Sequence, residues 1–536
     1  MSASPIDPPR RPPFAFVRRA ALPRVALAAA AAYVVFVRVL GLNSLQAEIY
    51  GDIAIVREYL DAILRGDWPV DFMLSAGPLY HYLIMPVIAV AGPGYLGMKL
   101  ASVAVSLGVL VALYALCRRL LDDASALLAL LIAGASSWLL IFSRLGNSQI
   151  LGPLLGTTSL WLLVRYVQEH RPVDLVLSAA VASLGLYAYP PSFILAPVMA
   201  ATLAALRIAK QPVRWRDVSA YTLVFLAFAL PFAWLVHRDP TNFLSGYIGG
   251  KLRPTGGLLT ALGRNLWKIA LSLHVHGDSV FRSNPAGLPL LDPVSGALFL
   301  AGVVFWLLPV RRRLSPVIFV PFLLQHVSSM LVLSSSAELP SASRTLGAAP
   351  LAYVLVASGL TFMRQSLAGR PRWRDVLTAA LVAGVLGINA DRYFRLYLRG
   401  LPYDNTPIAA LISEYVNGLP PGTETHLVGC CWQDGMPEPK GIRYGLKHPS
   451  RFHEVSSDLI SCQYLTNIRR PAVLIWSFRE LLPHERVAPC ASWLPGVLYA
   501  SSRGHPAFIA APLTSPPADA PTPSEGPRPI RPAPRS

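Results

Sequence analysis

Two carboxylates, Glu48 and Asp52, lie four residues apart in GLNSLQAEIYGDIAIVREYLDAILRGDWPVDF. On a helix that spacing places both on one face. A carboxylate within hydrogen-bond reach of a hydroxyl can take its proton as general base. A pair of carboxylates can also orient an acceptor or offer oxygen ligands to a divalent cation. Solvated interfacial charges are the competing reading. Two features weigh against it. The segment is acidic within a chain of net charge +18. It also follows the first apolar run directly, where a hydroxyl from outside can meet a carrier held in the bilayer.

Arg344, in SSSAELPSASRTLGAAP, is a third candidate. A guanidinium suits bidentate contact to phosphate, and Glu338 lies nearby as a prospective partner. A snorkelling interfacial Arg is the alternative. Arg144 lies in the polar turn 142–149 between two apolar runs, a place that can line a sugar pocket or simply turn the chain. His274-Val275-His276-Gly277-Asp278 carries two His and one Asp. These can bind a metal, but no further His supports that, and a loop in which His276 and Asp278 face a substrate is the preferred reading. No GxSxG or HExxH pattern appears, which argues against a hydrolase of those types.

The elements that must position these residues are membrane helices. Charged residues make up 14% of the 536-residue chain and hydrophobic ones 53%, against about 25% charged in soluble domains. Mean hydropathy is +0.46. Apolar runs cover residues 24–42, 96–117, 124–142, 148–166, 173–189, 191–208, 217–236, 293–310, 314–334, 345–363 and 374–391, most near the roughly 20 residues that cross a bilayer. Basic clusters at Arg118-Arg119, Arg165 to Arg171, Arg207 to Arg216, Arg311 to Arg313 and Arg364 to Arg374 mark cytoplasmic loops by the positive-inside rule. This predicts about eleven spans, with the N-terminus inside and the C-terminus outside. Outside loops then cover 43–78, 237–292 and 335–344. The first contains an amphipathic helix from Asp52 to Arg65 and the second an amphipathic stretch at 257–273, both lying on the membrane surface. Residues 79–92 are apolar but short for a span, so they are re-entrant or interfacial unless another assignment fails.

The domain division follows. Residues 1–23 are a disordered basic cytoplasmic tail, and 24–395 are the transmembrane catalytic domain. Residues 402–512 form a small α/β or α+β domain outside, with a helix over 406–417 and β-like runs at 426–428, 472–476, 497–500 and 508–511. Residues 513–536 are Pro-rich and too polar to fold. Cys430, Cys431, Cys462 and Cys490 fall in the C-terminal domain, where one or two disulfides or free thiols are equally open. Cys117 ends an apolar run.

The chain resembles the GT-C glycosyltransferases, and within them the protein O-mannosyltransferases and the aminoarabinose transferases that modify lipid A. The pieces carrying the resemblance are Ala47-Glu48-Ile49-Tyr50-Gly51-Asp52, the helix 52–65, and Gly77-Pro78-Leu79-Tyr80-His81-Tyr82. The families place an acidic pair at the first of these, and here its first position is Ala47. The carboxylate that acts is therefore Glu48 or Asp52, with the alignment favouring Glu48. The resemblance implies a polyprenyl-phosphate sugar as donor and a protein, lipid or glycan acceptor. It implies transfer with inversion by one general base, on the outer face of a bacterial inner (plasma) membrane. It makes Arg344 the ligand of the carrier phosphate and adds Tyr80 and His81 to Arg144, His276 and Asp278 as substrate contacts. No cofactor is required by this chemistry, and a divalent metal ion is an open option.

Other classes fit less well. The positive charge sits in short loops and no nucleic-acid motif is present, so its partner is membrane lipid. A transporter or flippase is the main alternative, but it would place isolated charges or broken helices at the midplane, often in repeats. Here charges collect at span ends and no repeat is visible. A scaffold acting through 402–512 is the third reading.

Overall fold

The computed structural model describes residues 24–254, 256–334, 338–401, 405–429, 431, 436–478, 487, 490, 494, 496–500 and 504–513. The expected tail at 1–23 and Cys430 lie outside the described residues, as does the tail expected over 513–536 except for Leu513, which instead ends a strand. The chain divides into two compact units. One comprises residues up to Leu45 and Val56–Gly400, the other Gln46–Ile55 and everything from Leu401 on. A contiguous division was expected. The short first-loop segment joins the C-terminal unit instead because its backbone and Glu48 bond to residues 405–438.

The first unit is helical. Its helices are α1 (Arg24–Val39), α2 (Gly51–Arg65, which starts in the second unit), α3 (Pro78–Ala91), α4 (Tyr95–Leu120), α5 (Asp123–Ala135) and α6 (Ser137–Ser143). There follow α7 (Leu151–Glu169), α8 (Pro172–Ser183), α9 (Leu195–Ile208), α10 (Trp215–Arg238), α11 (Tyr247–Gly250) and α12 (Leu258–Ser272). The set closes with α13 (Pro293–Leu307), α14 (Pro316–Leu324), α15 (Val327–Met330), α16 (Ala349–Ser366) and α17 (Pro371–Asp391). Proline opens α3, α8, α13, α14 and α17, where its missing N–H costs nothing. Asp122 caps α5 by accepting the Ser125 N–H at 2.9 Å. Asp292 caps α13 through the N–H groups of Val294 and Ser295.

Six of the described helical stretches are long and apolar enough to cross a membrane. They are Tyr95–Leu120, Ser148–Glu169, Pro190–Ile208, Trp215–Arg238, Leu346–Ser366 and Pro371–Gly400. A seventh arises if α5 and α6, bent by 62° at Ser136, count as one broken span. α10 exposes Leu223, Leu226, Leu230 and Trp234, a surface suited to lipid and not to water. The chain is a multi-pass membrane protein. Packing is tightest between α13 and α16. A Cβ on Gly302 would lie 1.9 Å from the Leu355 carbonyl oxygen, and one on Gly359 the same distance from that of Leu298. Small residues of this kind let membrane helices approach backbone to backbone. Trp306 Nε1 adds a hydrogen bond to Ser358 Oγ at 2.9 Å.

The second unit is a mixed five-stranded sheet with helices. Its elements are α18 (Ile408–Asn417), β1 (Glu424–Val428), α19 (Pro439–Arg443), β2 (Phe452–Val455), α20 (Cys462–Asn467), β3 (Ala472–Trp476), β4 (Val497–Ala500) and β5 (Pro506–Leu513). The strand order is β2-β1-β3-β5-β4. The pairs β1–β2 and β1–β3 are parallel, while β3–β5 and β4–β5 are antiparallel. β3 is buried throughout, as a central strand covered on both faces must be. Val473 and Ile475 pack with Ile408, Ile412 and Ile442 of α18 and α19. Leu474 and Trp476 point the other way and pack with Leu465 of α20 and Ile468. Cys462 and Cys490 form a disulfide. Cys117 is a buried free thiol.

Candidate active site

Arg344 follows a turn held by its own side chains. Its N–H donates to Ser341 Oγ at 3.3 Å, Thr345 Oγ1 donates to the Ser341 carbonyl at 2.7 Å, and Ser328 Oγ donates to the Arg344 carbonyl at 3.1 Å. The guanidinium pairs with Glu338 at 2.6 Å, and the other oxygen of Glu338 takes Lys251 Nζ at 2.7 Å. Lys251 also stands over the Tyr247 ring, 5.3 Å from its centroid. Two cations share one carboxylate, so the cluster keeps one net positive charge. Burial alone would raise Glu338, but the Lys251 hydrogen bond and Arg344 hold it below its ordinary value. Burial likewise opposes the charge on Arg344, yet Tyr189, Glu338 and Tyr247 hold it above its usual range. The cavity beside Arg344, lined also by Tyr189, Ser192 and Gln325, holds only about 10 Å³, roughly one water. An anion reaching Arg344 meets a guanidinium already paired with Glu338.

Asp278, expected to contact substrate, supports this loop instead. It is 1% exposed. Its oxygens accept the N–H of Val280 at 2.8 Å and of Ala342 at 2.7 Å. Trp138 Nε1 donates to the Ala342 carbonyl at 3.0 Å. The peptide two residues before Arg344 is thus held from both sides. Burial pushes the Asp278 carboxyl up to about 6, against those two N–H groups and the nearby Arg344 and Arg282. His276 is exposed. Among the described residues, no group of three or more His, Cys, Asp or Glu side chains is placed to hold a metal ion.

Arg144 does not turn toward a pocket. It is fully buried and donates to the carbonyls of Val37 and Leu40 at 2.7 and 2.6 Å, with its guanidinium over the Tyr393 ring. Lys99 donates to the carbonyls of Leu42 and Leu45 at 3.1 and 2.9 Å. The last carbonyls of a helix lack partners within it, and cations suit that negative end. Arg144 and Lys99 therefore finish α1 and the turn after it. Tyr80 and His81 are also core residues, both 0% exposed. Tyr80 Oη bonds Ser102 Oγ at 2.8 Å, and His81 stacks on Tyr59 with centroids 4.1 Å apart. On α3 they pack inward because α3 turns that face to α2 and α4.

Glu48 and Asp52 lie in the second unit. Glu48 is 4% exposed. Its carboxylate accepts the N–H of Ile49 at 3.0 Å and of Ala409 at 3.1 Å, capping α18. Burial pushes it up to about 8, against these backbone bonds and with Glu438 adding to the rise. Both oxygens face backbone N–H donors. Asp52 stands half-buried in the first turn of α2. Gly51 before it is tight: a Cβ there would meet Glu438 Oε2 at 1.9 Å.

Sequence reasoning missed Lys251 and Lys99. Lys251 carried a signal, since it is a basic residue in a loop assigned to the outside. Lys99 carried none, because a Lys near a span end reads as a snorkelling cation.

A family model described as dolichyl-phosphate-mannose-protein mannosyltransferase matches residues 75–237. Among solved structures, the chain is similar to ArnT from Cupriavidus metallidurans bound to undecaprenyl phosphate. The TM-score is 0.58 at 13% identity, over 92% of this chain and 99% of that one. The apo form of that ArnT gives 0.56 at 14% identity with the same coverage. The Archaeoglobus fulgidus oligosaccharyltransferase in complex with Zn and sulfate gives 0.52 at 14% identity, over 90% of this chain and 72% of that one. No curated protein matches the sequence significantly. The resemblance to GT-C glycosyltransferases holds in both the family model and the fold.

Proposed function

We propose that this chain is an inverting glycosyltransferase that moves a sugar from a polyprenyl-phosphate carrier to an acceptor hydroxyl on the extracytoplasmic face of a bacterial inner membrane. The observation carrying this reading is the Lys251–Glu338–Arg344 cluster, a half-buried site with one net positive charge on a GT-C-like membrane fold. The acceptor oxygen attacks the anomeric carbon as the bond to the phosphate oxygen breaks. Arg344 and Lys251 take up the charge left on the carrier phosphate, where fixed donors are most effective. Bound undecaprenyl phosphate in the similar ArnT structure is consistent with such a carrier.

The base is a first-loop carboxylate, and we assign it to Asp52. Glu48 is engaged with backbone N–H groups and, at about 8, holds its proton at neutral pH. Asp52 stands in the first turn of α2, four residues on from Glu48. Glu48 then positions the segment. The topology we favour remains about eleven spans with the second unit outside, counting the shorter apolar helices α1, α8, α13 and α14. The Cys462–Cys490 disulfide fits an oxidising compartment.

The test is incubation of the purified protein with labelled polyprenyl-phosphate sugars. Release of label from the lipid, lost in Asp52→Asn and in Arg344→Ala, is expected. Release unchanged in both variants, or absent with every donor, overturns the assignment.

A further inference from the structure

The second unit holds a cavity that the transfer step above does not use. Its volume is about 500 Å³ and all its lining residues belong to that unit, a size typical of small-ligand sites at roughly 300–1,000 Å³. Ser413, Glu414 and Asn417 line it from α18, Tyr444 and Lys447 from the turn after α19, and Glu48 from the first-loop segment.

Two of these side chains fix its width. Ser413 Oγ donates to the Ile442 carbonyl at 2.7 Å. Asn417 donates to the Gly445 carbonyl at 2.7 Å and accepts the Lys447 N–H at 2.8 Å. The walls are therefore clamped before any ligand arrives. Glu414 and Lys447 are both exposed at the rim, and among the described residues neither charged end has a hydrogen bond or ion pair. A carboxylate and an ammonium border one space without meeting across it. Tyr444, half-buried in the same lining, supplies an aromatic surface.

These groups suit a ligand that offers hydroxyl donors and acceptors around an apolar ring face. They do not favour an anion, since the Lys447 ammonium is balanced by the Glu414 carboxylate in the same lining. Among the described residues, none of its lining lies on a strand, so it offers no sheet edge to an extended peptide. We propose that it is a carbohydrate site that takes one or two sugar rings of the acceptor. This rests on the reading of the chain as a glycosyltransferase only in naming the sugar as acceptor.

The test is saturation-transfer NMR on the full-length protein in nanodiscs, without donor, against a panel of neutral mono- and disaccharides. Binding of at least one sugar is expected, weakened about ten-fold, or roughly 1.4 kcal/mol, in both Glu414→Gln and Tyr444→Ala. Glu414 is exposed, so its variant keeps the fold, and matched melting curves check Tyr444→Ala. No transfer to any sugar, equal transfer in both variants, or displacement of the sugar by an unglycosylated peptide overturns the proposal. Sugar binding in a protein that releases no label from any lipid donor would leave this site standing and remove the enzymatic reading.

Discussion

Asp278 accepts the Ala342 N–H at 2.7 Å and thereby holds the backbone two residues ahead of Arg344. The side chain expected to touch substrate instead fixes the backbone of the loop that carries Arg344.

Replacing Asp278 tests that role. Its folded pKa of about 6 lies above the ordinary 3.8, so the folded state binds the proton more tightly. The stability this carboxyl contributes is complete below its unfolded pKa and is lost as pH rises through about 6. Asp278→Asn keeps an acceptor for Ala342 without the charge. Its melting temperature should lose that pH dependence, and carrier affinity should change less than in Asp278→Ala, which leaves two N–H groups unpaired at about 1–3 kcal/mol each.

Glu48 offers a second pH test. Its folded pKa of about 8 exceeds the ordinary 4.5, so its contribution fades as pH rises between those values. Glu48→Gln should be more stable than the parent above pH 8, where the parent carries a buried charge, while retaining turnover. Loss of turnover with an intact fold would return the base role to Glu48. Glu48→Ala removes the cap of α18 and should cost about 1 kcal/mol at low pH, with the cost shrinking as pH rises toward 8.

The cationic cluster predicts opposite effects from neighbours. Arg344→Ala should lower kcat/KM by roughly 100-fold or more, the scale of losing a charge-stabilising donor. Glu338→Gln removes the carboxylate that competes with an incoming anion, and should tighten binding of undecaprenyl phosphate measured by calorimetry. Unchanged or weaker binding would remove Glu338 from that competition.

Arg144 should behave as a structural residue. Arg144→Met deprives the Val37 and Leu40 carbonyls of their donor and should destabilise the protein in detergent by about 2–4 kcal/mol. The protein that remains folded should bind carrier as the parent does. A selective loss of sugar transfer without loss of stability would restore Arg144 to the pocket.

The membrane class was plain in the sequence because solvent preference is additive along a chain. The helices at 51–65, 258–272 and 408–417 were legible for the same reason, since apolar spacing is local. Strand β2, FHEV, was not, because a four-residue edge strand has no apolar run of its own and forms only by pairing with β1. Site roles were read at the level of residue type and failed where burial decided. Arg144, Asp278, Tyr80 and His81 carry groups suited to a ligand, but each meets a backbone or core partner that only the fold brings near. Glu338 and Arg344 were legible as a pair because six residues and one turn separate them.

The hydrogen bond from Ala409 to Glu48 joins residues 361 positions apart. A nascent chain has the first-loop segment in hand long before the part that will fix it exists. At roughly 5–20 residues per second, the interval is on the order of half a minute. Until then Glu48 and Asp52 sit on an unanchored strand of polypeptide. Any chain truncated before α18 therefore carries its acidic segment without the helix whose N-terminus Glu48 caps.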